Sequence, residues 1–81
     1  MAFSVVTFSR HARERMEERN ISRQQVEQSL FHPDSVRLDK GVLIAERKTV
    51  AGNTIRVVYR EVMTGQGQAA HVITTIRIAG R

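Results

Sequence analysis

The chain has 81 residues, no cysteine and 41% hydrophobic residues. That is enough for one small core, and it excludes a disulfide framework, a thiolate metal site and wholesale disorder. The formal charge is +5, with 11 arginines among the 13 basic residues and a pI near 11.1. This balance points to a polyanionic partner, and the planar arginine fork favours bidentate contact with phosphate or carboxylate.

No long apolar run exists, and residues 1–8 are too short for a signal peptide and carry no basic leader. The expectation is a cytoplasmic protein of one domain, residues 1–81, with no membrane association. Residues 3–8 (Phe-Ser-Val-Val-Thr-Phe) are rich in aromatic and β-branched types and read as a first strand. Ser9 can cap a helix that runs to about Asn20. The next helix start is the clearest local signal. Ser22 and Gln25 have capping-box spacing, and Ile21 and Val26 have the spacing of a hydrophobic staple. Val26 and Leu30 continue the apolar stripe, and Pro33 stops the helix after His32.

Beyond Pro33 the apolar period changes from helical to two. Residues 36–38 form a short extended piece and residues 39–41 a turn. Residues 42–50 are a strand, and 51–53 turn the chain back. Residues 54–63 are the best strand, 64–68 a flexible turn and 71–79 the last strand, before Gly80 and Arg81. Short connections favour antiparallel neighbours. The expected fold is therefore α+β: a strand, two helices, then a three- or four-stranded antiparallel meander with the helices on one face.

Parity assigns Ile55, Val57, Tyr59, Val72, Thr74, Ile76 and Ile78 to the helix-packed side of the sheet. Arg56, Val58 and Arg60, with Ile73, Thr75 and Arg77, then fall on the other side. On this reading Arg56, Arg60 and Arg77 line an open, basic face suited to nucleic acid.

The stretch His11-Ala12-Arg13-Glu14-Arg15-Met16-Glu17-Glu18-Arg19, followed by Ile21-Ser22 opening a second helix and then by Pro33, resembles a family of small bacterial domains of unknown function. The strands Ile55-Arg56-Val57-Val58-Tyr59 and Val72-Ile73-Thr74 resemble that family's strands, and the likeness spans about residues 8–77. The family is similar to the RelE/ParE and BrnT type toxins in its order of strand, two helices and sheet. RelE-like proteins cleave messenger RNA on the ribosome without a metal, and ParE-like proteins inhibit DNA gyrase. The resemblance implies a RelE/ParE-like fold, RNA or the ribosome as target, an antitoxin protein as partner, no cofactor and no metal. Its implied site residues are His11, Arg15, Arg19, Tyr59 and Thr74.

The residues themselves fit part of that chemistry. His11, Arg15 and Arg19 recur every four residues and share one side of a helix, beside the small stripe of Ala12 and Met16. Metal-free RNA cleavage needs a proton carrier, which an imidazole supplies, and cations for the charged phosphorane. Plainer roles compete. Glu14, Glu18 and Glu46 are available to pair with the arginines. Tyr59 suits core packing with its hydroxyl at a rim. Three scattered histidines make a poor metal site, His32 suits a helix end, and the segment Gly65-Gln66-Gly67 is a turn, too short to cradle phosphate. The leading expectation is a toxin-type domain acting on RNA as a metal-independent endoribonuclease. The rivals are a non-catalytic basic module for nucleic acid or an acidic partner protein, and a gyrase-type inhibitor.

Overall fold

The computed structural model describes residues 3–79. Its elements are β1 (Val5–Phe8), α1 (Arg10–Glu18), α2 (Arg23–Phe31), β2 (Ser35–Asp39), β3 (Val42–Lys48), β4 (Thr54–Thr64) and β5 (Gly67–Ile78). The last two residues of the chain, expected to follow the final strand, lie outside the described residues.

Local chemistry sets both helix ends. The Ser9 hydroxyl accepts from the Ala12 amide and donates to the Ile73 carbonyl, so one side chain caps α1 and pins it to β5. At the other end, Asn20 takes a left-handed φ of 55°. The Asn20 and Ile21 amides then donate to the Glu17 and Met16 carbonyls. This is a Schellman closure with asparagine where glycine is usual. Ile21, now buried at 4% exposure, leads directly into Ser22. The expected capping box forms in full, with each partner satisfying the other's backbone amide. Between β2 and β3, Lys40 and Gly41 both adopt positive φ, the requirement of a two-residue type I′ hairpin.

The sheet order is β1-β5-β4-β3-β2. Strands β2 to β5 form the antiparallel meander. β1 lies beside β5 and parallel to it, so the sheet is mixed and five-stranded. Such a pairing needs a crossover, and the two helices are part of it. Both helices pack on one side, where Ala12, Val26 and Leu30 meet Ile55, Val57 and Val72 in a continuous apolar layer. The other side of the sheet carries no helix among the described residues.

One irregularity decides what each side carries. Val58 faces Thr74 while Tyr59 faces Val72, so β5 holds one extra residue, Ile73, in a β-bulge. The bulge reverses the parity of β5 beyond it. Thr75 now opposes Val57 and is fully buried, and Arg77 opposes Ile55 on the helix side. Thr74 and Ile76 oppose Val58 and Arg56 on the open side. The expected faces hold for β4 and for Val72, and they are inverted for Thr74, Thr75, Ile76, Arg77 and Ile78.

Candidate functional site: two basic surfaces

The five residues implied by resemblance do not converge. His11 is exposed on the first turn of α1, and its ring makes no hydrogen bond to the described residues. Four residues on, Arg15 binds both carboxylate oxygens of Glu18 at 2.6 Å. Arg19 reaches across to donate to the Thr75 carbonyl at 2.7 Å. The stripe is thus tied down by one carboxylate and one strand carbonyl. Tyr59 is 4% exposed in the core, edge-on to Phe3 with ring centroids 5.7 Å apart. Burial first, and then the Glu61 carboxylate, push its phenol above the ordinary tyrosine value. Thr74 stands on the opposite side of the sheet from α1. His71, expected to begin the last strand, lies within β5, where its Nδ1 is 2.8 Å from the Thr7 hydroxyl.

The three expected nucleic-acid residues also separate. Arg56 and Arg60 stay on the open face, and Arg77 leaves it because of the bulge. The open face is built in cross-strand rows. Arg37 lies opposite Ile44, which faces Val58, which faces Thr74. Arg60 lies opposite His71, which neighbours Thr7. Arg56 is ion-paired with Glu46. Arg37 and Arg60 are exposed and have no carboxylate partner among the described residues. Sequence reading missed Arg37, although its position in the short piece before the turn could have placed it.

The second surface lies on the helix side, between α2 and the connection from β3 to β4. It is a half-enclosed cleft of about 510 Å³. Its floor is one row of three strands: Arg47 opposite Ile55, and Ile55 opposite Arg77. Both guanidinium groups are held by main-chain carbonyls just past a helix. Arg47 donates to His32 after α2, and Arg77 donates to Asn20 after α1 at 2.7 Å. Gln25, Gln28 and Asn53 add amides to the lining, and no carboxylate side chain lines it among the described residues. Arg47 and the glutamines were also missed by sequence, because 30 residues separate the two arginines that the sheet makes neighbours-but-one.

Residues 8–77 match the model of a family described as a domain of unknown function, DUF4258. The match covers most of the chain, which therefore belongs to that family. No curated protein and no solved structure matches it. Among the described residues, no helix is long and apolar enough to cross a membrane.

Proposed function

We propose that this DUF4258 chain is a toxin-type domain that engages RNA through the open face of its sheet. The observation that carries the reading is the pair Arg37 and Arg60, exposed on a strand surface where, among the described residues, no carboxylate pairs with them and no helix covers them. Phosphate contact is the chemistry on offer. The face presents guanidinium forks over an aliphatic floor of Ile44 and Val58, with threonine hydroxyls beside them, and Tyr59 is turned away into the core. The same basic surface suits an acidic antitoxin, which would compete with RNA for it.

The test is binding of a mixed single-stranded RNA pool across a salt series. Each phosphate contact contributes a slope of about −0.7 in log affinity against log salt for single strands. Replacing Arg37 and Arg60 with glutamine should flatten the slope by about 1.4. An unchanged slope in the folded double variant rejects this face.

Metal-independent cleavage is the second reading, supported by the exposed imidazole of His11 on α1, which has no partner among the described residues. Inducible expression in bacteria should then arrest growth and fragment RNA. With purified protein in excess chelator, His11→Ala should reduce cleavage about a hundredfold. Intact RNA with the wild-type chain, or full activity in folded His11→Ala, leaves the chain a binding domain.

A further inference from the structure

The helix-side cleft is separate from the open face and has its own logic. A guanidinium answered by a carboxylate is electrically spent, whereas one held by a carbonyl is fixed in place and keeps its whole charge. Arg47 and Arg77 are both of the second kind. They stand two strand spacings apart across Ile55, about 10 Å between backbones. Arg77 also has an unused donor: its Nε is shielded from water and has no hydrogen-bond partner. A buried N–H without an acceptor costs free energy, and its signal reports any rearrangement of the Arg77 fork.

The polar lining is equally specific. The Gln25 oxygen accepts from the Ser22 amide, so its NH₂ group is left for the cleft. Gln28 is exposed at the rim, and Ile55 supplies an apolar floor flanked by Val50 and Ala51. Arg47 and Arg77, with Lys48 also in the lining, give the cleft an excess of positive charge that suits a dianion. A phosphate monoester carries nearly that charge at neutral pH. The volume of about 510 Å³ lies within the range that encloses a small organic ligand. The cleft is half-enclosed between α2 and the β3–β4 connection, which favours a small ligand over a continuous RNA strand.

We propose that this cleft binds the phosphate group of a small phosphate monoester of about mononucleotide size, with Arg47 and Arg77 clamping the phosphate and the glutamine amides meeting the organic part. The site does not depend on the RNA reading of the open face.

The experiment is NMR titration of the full chain, following arginine Nε–H and glutamine side-chain signals, with adenosine 5′-monophosphate, adenosine and inorganic phosphate as probes. The monophosphate should shift Arg77 Nε–H and the Gln28 amide saturably. Inorganic phosphate should move the arginine signals alone and bind more weakly. Adenosine should leave the cleft unmoved. Arg47→Gln should weaken the monophosphate about tenfold. Gln28→Glu, an exposed change compatible with the fold, should abolish binding by placing a carboxylate at the rim. The double variant Arg37→Gln, Arg60→Gln should bind the monophosphate like the wild type, which separates this site from the open face. Adenosine binding as well as its monophosphate, an absence of saturable shifts at millimolar ligand, or undiminished binding by Gln28→Glu would each overturn the proposal.

Discussion

Ile55 and Arg56 are adjacent in sequence and stand on opposite sides of β4, and the cations around them are treated in opposite ways. On the open side, Arg56 is paired with Glu46, its direct neighbour on β3. On the helix side, Arg47 and Arg77 flank Ile55 and rest on carbonyl oxygens. One residue type thus yields a partly neutralised surface on one face and a concentrated positive field on the other. Composition gives the same total for both. What differs is whether the local acceptor carries charge.

The contrast depends on the bulge, and the most severe way to break it is to insert one residue between Val58 and Tyr59, opposite Ile73. Both strands would then pair regularly, and Ile55, Val57, Thr75 and Arg77 could no longer share a side of the sheet with Tyr59 and Val72. The expected cost exceeds about 4 kcal/mol, seen in circular dichroism as loss of cooperative thermal unfolding. Deleting Ile73 should be far milder, because Thr74 then follows Val72 directly and stays opposite Val58. Near-native stability of the insertion variant, or an equal loss in both variants, would reject the face assignment.

Single truncations sharpen the same contrast. Arg77→Ala removes a carbonyl-held fork together with the stem that lies beside Ile55, and should cost about 1–2 kcal/mol in urea unfolding. Arg56→Ala removes one member of an ion pair whose side chains are 31% and 26% exposed. Screening by solvent keeps that cost below about 1 kcal/mol. Equal costs for the two would show that the nature of the acceptor does not matter here.

Tyr59→Phe is the mildest change, and its effect is confined to alkaline solution. The folded-state phenol titrates above its ordinary value because burial disfavours the phenolate. The unfolded chain therefore releases this proton first as pH rises. Stability from the neutral phenol is full below about pH 10 and is lost as pH climbs toward the folded-state value. The phenylalanine variant should match the wild type at neutral pH and decline less above about pH 10. Parallel stability curves for the two proteins across that window would show that Tyr59 carries no linkage.

Much of the framework was legible because its signals are local. Ser22 with Gln25, Ile21 with Val26, and Pro33 behind the helix each act within a few residues, and all behave as read. The parity of β4 was legible because Ile55, Val57 and Tyr59 alternate with arginine, valine and arginine. β5 gave no such cue. Its run Val72-Ile73-Thr74-Thr75-Ile76 is β-branched throughout, so either side of each residue can be buried, and no glycine marks the bulge. The parallel placement of β1 was likewise hidden, since no turn connects it to β5. The cleft escaped for a related reason: Arg47, Ile55 and Arg77 lie on three different strands, and only register makes them a row.

The parallel contact between β1 and β5 has a consequence for how the molecule is made. Val5 to Phe8 lie beside Ala69 to Val72, so β1 is synthesised well before the strand it joins. Ribosomes add about 5–20 residues each second, so for seconds the apolar edge of β1 lacks this neighbour. The helices can form early on their own caps, but the layer that buries them is completed only when β5 has emerged. Neither the open arginine face nor the cleft can then exist on a partly made chain, and any activity they carry begins only after β5 has cleared the exit tunnel.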